Sequence, residues 1–492
     1  MPPRLNASSK LPDTVAMPAY TPAKHGEGIL HLGLGAFHRA HQAVYTDDAL
    51  ALAGGDWRIL GVSLRSAAPA EELAPQDGLY TLIIRGEGEP RVRVIGSISR
   101  ALCGKTDIDE IRRALADPSI RIVSLTVTEK GYGIDRAAGG ADPDHPAVAA
   151  DLASPDAPTG VLGLIVQALK ARRAAGTPPF TVLSCDNLPE NGVMLRGGVV
   201  DFARRLDPEL ADWIESAVAF PSCMVDRITP ARTDATIADA ERLTGHSDAA
   251  VIETEPFTQW VVEENFPAGR PAWDKAGALF VKDVAPYEKM KLRMLNGAHS
   301  MLAYSGFLAG QRYVRDAMAD PDLRTLIERH LSAAAATLDP LPGIDFGEYA
   351  QDLSARFANP SIAHETYQIA MDGTQKLPQR VLGPALAALQ AGQPVRPFAF
   401  ATAAWMRYCL GRKDDGETYA LRDPLEAEIA ARIGTADTAE AIFTSLAALR
   451  GVFPEALMAA PEWRGEVVGA LAGMLESGVP AAIHTEAASV RA

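Results

Sequence analysis

The chain has 492 residues, 47% of them hydrophobic and 22% charged, and a formal net charge of −15. That length implies two or three domains, each able to bury a core without disulfide staples. The acidic balance excludes nucleic acid or an anionic membrane as main partner, because both need a basic surface, but it leaves room for a small anionic substrate held by a few local cations.

The N-terminal residues 1–10 contain no apolar signal core, and no apolar run approaches the roughly 20 residues that span a bilayer. The first periodic element is residues 28–36, GILHLGLGA, which reads as a buried strand running into glycines. A helix is expected over 38–53 and a second strand over 57–64. Two more β-rich runs follow at 79–86 and 91–99, then a helix at 107–116, a strand at 120–128, a helix at 159–174 and a strand at 180–185. Short apolar strands between amphipathic helices imply a mostly parallel sheet with helices on both faces. Near residue 285 the composition changes. Ala/Leu-rich stretches with helical spacing take over at 286–310, 322–337, 380–392 and 396–410, punctuated by Pro340, Pro342, Pro360, Pro378 and Pro394. The expected fold is therefore an α/β dinucleotide-binding domain over 1–285 and an all-α substrate-binding domain over 286–492. The cysteines, Cys103, Cys185, Cys223 and Cys409, are scattered and form no C-x-x-C pair. They read as reduced thiols of a cytoplasmic protein rather than as a zinc site.

The first strand runs into Gly33-Leu-Gly35-Ala36-Phe37-His38, a G-x-G turn with His38 where a third glycine would stand. Glycines here permit a tight turn and bring backbone N–H groups close to a pyrophosphate at a helix N-terminus. The missing third glycine suggests a looser helix–strand contact. The second strand ends Ser63-Leu64-Arg65-Ser66-Ala67-Ala68, with no acid to hold a ribose. Arg65 either accepts a 2′-phosphate or is a solvated surface cation, so NAD is expected with NADP possible.

The segment 286–304, PYEKMKLRMLNGAHSMLAY, carries Glu288, Lys291, Asn296 and His299. On an α-helix with Lys291 at zero, Glu288 lies near ~60°, His299 near ~80° and Asn296 near ~140°. Leu292 and Leu295 fall within the same arc, so polar and apolar groups share one face, as in a lined pocket. Oxidising a secondary alcohol needs a base for the hydroxyl proton and a donor for the developing alkoxide, and a lysine and an amide can supply these.

These features and five further segments together resemble the polyol-specific long-chain dehydrogenase/reductase family, which includes mannitol 2-dehydrogenase and fructuronate reductase. The segments are GLGAFHRAHQ at 33–42, PQDGLYTL at 75–82, TEKGY at 128–132, SCDNLPENG at 184–192, MVDRITP at 224–230, KLRMLNGAH at 291–299 and MDGTQKLPQR at 371–380. The resemblance implies a Rossmann-type N-terminal part, a helical C-terminal part and no metal. It implies that Lys291 is the general acid/base, that Asn187 and Asn296 bind the alkoxide, that His299 orients substrate and that Glu288 gates a proton path. Thr128 and Glu129 would join the glycine turn and Arg65 at the cofactor, and Asp226, Gln368 and Lys376 would line the substrate pocket.

Departures from the mannitol branch bear on substrate. That branch resembles T-E-G-G-Y where this chain has Lys130, carries arginine at the position of Gln368, and has an acidic pair where this chain has Ala67-Ala68. Lys130 either holds a substrate carboxylate through a charge-assisted bond or is an exposed turn cation. The expected activity is interconversion of D-fructuronate and D-mannonate at the ketose C2. The alternatives are mannitol/fructose, arabinitol or altronate/tagaturonate chemistry, a regulatory protein that has lost catalysis, or a metal enzyme using Glu288 and His299. The expected partner is a small sugar acid or polyol, with the protein a monomer or small homo-oligomer.

Overall fold

The computed structural model describes residues 2–491, which divide into two compact units at Ala285/Pro286. The first unit is organised by a five-stranded sheet in the spatial order Thr181–Ser184, Ile122–Leu125, Glu27–Leu32, Arg58–Ser63, Ile98–Cys103. Every neighbouring pair is parallel. Numbered along the chain this is the order 3-2-1-4-5 of a dinucleotide-binding sheet, whose direction reverses beside the first strand.

The strands are apolar on both faces because both faces are covered. Leu30, Leu32, Leu60, Val62, Val123 and Leu125 point into one core with the helices Ile108–Ala116 and Val161–Ala175. Ile29, Ile59, Ile122 and Leu183 point the other way, against Trp260 and Trp273. The run expected as one strand over 91–99 is two. Arg91–Ile95 pairs antiparallel with Tyr80–Ile84 in a separate sheet, and after Gly96 and Ser97 the chain enters Ile98–Cys103, the edge of the parallel sheet. The helix expected over 38–53 is likewise two, Ala36–Ala40 and Gln42–Ala53, broken at His41 with ψ −94°. A further three-stranded sheet, Cys223–Asp226, Gln259–Glu263 and Leu279–Val281, has no counterpart among the expected elements.

The second unit is helical, as its composition implies, with only isolated β-bridges (Tyr313 to Glu365, Arg412 to Thr418) among its described residues. Its centre is Arg396–Tyr408, buried from Pro397 onward, which packs on Gly297–Leu308 and Pro461–Ser477. Pro378 does not end a helix. It opens a π-helical turn, Pro378–Leu382, that continues Gly373–Leu377 and leads into Gly383–Gln390. The wider turn accommodates the ring and the missing N–H that would disrupt an α-helical ladder. No helix among the described residues is long and apolar enough to cross a membrane, and all four cysteines are free and buried.

Candidate active site

The glycine turn follows Glu27–Leu32, the strand beside which the strand order reverses. The N–H groups of Gly33 and Leu34 donate to the Val62 carbonyl, and the Thr126 hydroxyl donates to the Gly33 carbonyl at 2.8 Å. The two glycines have different reasons to be glycine. Gly33 has φ +103°, and a Cβ there would stand 2.1 Å from the Thr126 carbonyl oxygen. Gly35 has φ −99°, and its Cβ would meet only the Gly33 carbonyl at 3.7 Å. The fold requires the first, whereas nothing in the fold excludes a side chain at the second.

His38, at the third-glycine position, does not loosen the contact. It is fully buried, and its ring stacks on His31 with centroids 3.4 Å apart and planes 16° apart. His31 in turn bridges the Ser124 and Thr126 hydroxyls. Burial pushes the His31 imidazole down to about 3 and that of His38 well below its usual value, so both are neutral packing groups at physiological pH. Phe37 stacks on His41 and faces the core that contains Trp260.

Along the strand ends runs a groove of about 330 Å³, lined by Gly33, Gly35, Ser63, Arg65, Thr126 and Thr128 among others. Arg65 is exposed at this groove, and no carboxylate lines it. Thr128 has φ +68° and ψ 158°, a conformation costly for a β-branched residue. What holds it is Asp186, a residue that motif reading passed over. The Asp186 carboxylate accepts from Val127 N–H (2.9 Å), Thr128 N–H (3.3 Å) and the Tyr132 hydroxyl (2.7 Å). Tyr132 also meets the Ser184 hydroxyl at 2.6 Å. Desolvation raises the pKa of both Asp186 and Tyr132. Glu129 turns outward to an ion pair with Arg136, and Lys130 is exposed; neither lines the groove.

Asn187 follows this clamp directly. Asn191, also unremarked in the sequence, ties the segment down: its amide donates to the carbonyls of Asp186 (3.0 Å) and Cys223 (2.7 Å) and accepts from Cys223 N–H. Cys223 begins the strand that ends at Asp226, whose side chain is buried at the position opposite Gln259. The signal for these positioning residues lies inside TEKGY and SCDNLPENG. Only the side chains expected to touch ligand were singled out there.

In the helical unit, Glu288 and Lys291 lie on Ala285–Lys291, and Lys291 is 6% exposed. The helix is not α-helical beyond that point. Leu292–Asn296 is a π turn, after which Gly297–Leu308 resumes the α form. The ~140° separation of Lys291 and Asn296 therefore does not hold. Five residues is the hydrogen-bond spacing of a π-helix, so Asn296 swings back toward the face of Lys291, and His299 moves with it. The turn packs against the second π turn, Pro378–Leu382, and a Cβ on Gly297 would lie 2.6 Å from the Arg380 carbonyl. His299 is half-buried, 4.4 Å from the Phe357 ring and 5.5 Å from that of His364. Gln368 is exposed on Thr366–Ala370, while the Lys376 ammonium donates to the Met371 carbonyl at 2.6 Å and lies 3.6 Å from Asp372.

Residues 27–275 match the mannitol dehydrogenase Rossmann domain model, and residues 283–474 match the mannitol dehydrogenase C-terminal domain model. The chain belongs to the mannitol dehydrogenase family. It is 44% identical over 478 residues to D-mannonate oxidoreductase of Escherichia coli (strain K12), covering 96% of this chain and 97% of that one. It is 42% identical over 415 residues to mannitol 2-dehydrogenase of Cereibacter sphaeroides, covering 84% and 87%. The solved ternary complex of Pseudomonas fluorescens mannitol 2-dehydrogenase with NAD and D-mannitol shares 39% identity, with coverage of 98% and 99% and a TM-score of 0.78. As a mannitol dehydrogenase family member the protein is an oxidoreductase acting on CH–OH groups.

Proposed function

We propose that this enzyme interconverts D-fructuronate and D-mannonate, working at the ketose C2 with NAD(H). The observation that carries this reading is the 44% identity to D-mannonate oxidoreductase along nearly the whole of both chains. Gln368, where the mannitol branch carries arginine, supports it.

The residues of the glycine groove fit a dinucleotide. The N–H groups of Gly33, Leu34 and Gly35 are taken by the Val62 and Gly33 carbonyls, so those of Ala36 and Phe37 would face the pyrophosphate, and the missing side chain of Gly35 admits it. Bound NAD supplies the hydride acceptor. Lys291 takes the hydroxyl proton in oxidation and returns it in reduction. The carboxamides of Asn187 and Asn296 donate to the oxygen as it gains charge, and His299 orients the substrate hydroxyls. Glu288, three residues before Lys291, relays the proton to water, and Asp226 and Lys376 complete the substrate pocket.

Side-by-side assays with NADH test the substrate. Fructuronate is expected to show the higher kcat/KM, and a clear preference for fructose would replace this reading with mannitol oxidation. Assays after exhaustive chelation are expected to retain full activity, which a metal enzyme would lose. The groove carries Arg65 and no carboxylate, so NADP fits as well. Arg65→Ala is expected to raise KM for NADPH by about 10-fold while KM for NADH stays within about threefold, as loss of one charge-assisted bond to a 2′-phosphate requires. Equal changes for the two cofactors would return Arg65 to an ordinary surface role.

A further inference from the structure

Arg380 is a guanidinium with no carboxylate in an ion pair with it among the described residues. It lies on the π turn Pro378–Leu382, and its one hydrogen bond among the described residues is from Nη1 to the Ser300 hydroxyl at 3.3 Å. Arginine offers five donors in a planar fork, and this half-buried guanidinium spends one of them on a long bond to a neutral hydroxyl, leaving the others open to a ligand. The nearby carboxylates are engaged elsewhere. Asp372 pairs with Lys376 at 3.6 Å, and Asp423 accepts from the Thr374 hydroxyl at 2.6 Å and its N–H at 2.8 Å. Lys376 is a second cation four residues before Arg380. Its pKa is lowered by burial and then by Arg380, so the two positive groups are held close together. In a chain of net charge −15, two adjacent cations sharing one carboxylate form a local positive site.

The position of Arg380 is the second observation. Ser300, its partner, follows His299 directly and donates from its hydroxyl to the Asn296 carbonyl at 3.0 Å. Arg380 is thereby anchored four residues beyond Asn296, about 6 Å along a helix axis. In a hexuronate the carboxylate and the C2 carbonyl occupy opposite ends of the carbon chain, a separation of that order. A group binding the carboxylate belongs about one helical turn from the amide that binds the reacting oxygen, and Arg380 is tied to the residue one turn beyond Asn296.

We infer that Arg380, backed by Lys376, is the carboxylate-binding residue that selects a hexuronate or hexonate over an uncharged ketose or polyol. This rests on the substrate reading above and shifts the carboxylate contact from the exposed Lys130 to the helical unit. A bidentate guanidinium–carboxylate pair supplies both charge and direction, which an exposed turn lysine does not.

The test uses the full-length enzyme and the variants Arg380→Gln, Arg380→Lys and Lys130→Ala. Fructuronate and fructose differ only at C6, so kcat/KM with NADH on each isolates the carboxylate. Calorimetric titration of the enzyme–NADH complex with D-mannonate and with D-mannitol gives affinity without turnover. Arg380→Gln is expected to lower kcat/KM for fructuronate and affinity for mannonate by about 10- to 100-fold, with fructose and mannitol within about threefold. Arg380→Lys, which keeps the charge and loses the fork, is expected to lose less and on the same two ligands. Lys130→Ala is expected to change neither.

Equal losses on charged and uncharged ligands, no loss in Arg380→Gln, or a carboxylate-specific loss in Lys130→Ala instead would each overturn the assignment. So would a wild-type complex that binds mannonate no better than mannitol. Should the wild type bind mannonate through Arg380 yet fail to reduce fructuronate, the substrate reading falls while the carboxylate site stands.

Discussion

Lys291→Ala is expected to lower turnover by roughly 10²- to 10⁴-fold, the range lost when a positioned proton-transfer group is removed. NADH affinity, read by fluorescence titration, is expected to stay at the wild-type value, because Lys291 belongs to the helical unit and is not among the residues lining the glycine groove. Small primary amines added to the variant are expected to restore part of the rate in proportion to their concentration. A variant that turns over at near-wild-type speed would remove Lys291 from the chemistry. A variant that loses NADH binding as well would assign it a structural task. The residue is 6% exposed at the end of Ala285–Lys291, so the melting temperature must be followed alongside.

The second large effect separates the two glycines. Gly33→Ala forces a side chain to φ +103° and drives a Cβ to 2.1 Å from the Thr126 carbonyl oxygen, a backbone atom at the end of the neighbouring strand. Left-handed strain of about 1–2 kcal/mol and overpacking of about 1–3 kcal/mol together consume much of an ordinary domain's stability. The variant is expected to melt far below the wild type or to fail to accumulate as folded protein. Gly35→Ala has no such conflict, since its Cβ meets one atom at 3.7 Å. It is expected to melt with the wild type and to bind NADH at least 10-fold more weakly, because the added methyl occupies space a pyrophosphate needs. Gly35→Ala with wild-type NADH affinity would show that the dinucleotide does not approach the turn at that point.

The glycine pair shows how far local reading reaches. G-x-G after a strand is legible as a turn, but which glycine the chain itself requires depends on what stands across from each, and that is set by the register of Ile122–Leu125 against Glu27–Leu32. His38 is similar. As a letter in the third-glycine position it suggested slack, and only the stacked ring of His31, seven residues earlier, shows that the space is filled. Asp186 was passed over because its partners, Val127, Thr128 and Tyr132, come from a segment more than fifty residues away.

The sequence by itself determined the parallel α/β sheet, through short strands with apolar residues on both faces because helices and further strands cover both, and the helical second half, through Ala/Leu runs with helical spacing. Its motifs also carried the family and the chemical roles expected of Lys291, Asn296 and His299. Only the tertiary structure decided that the helix carrying them takes a π turn at Leu292–Asn296, which packs against Pro378–Leu382 and which the α-helical spacing of LRMLN does not announce. It also decided that Arg380 has no acidic partner among the described residues, since whether a charge is paired depends on which distant segments fold around it.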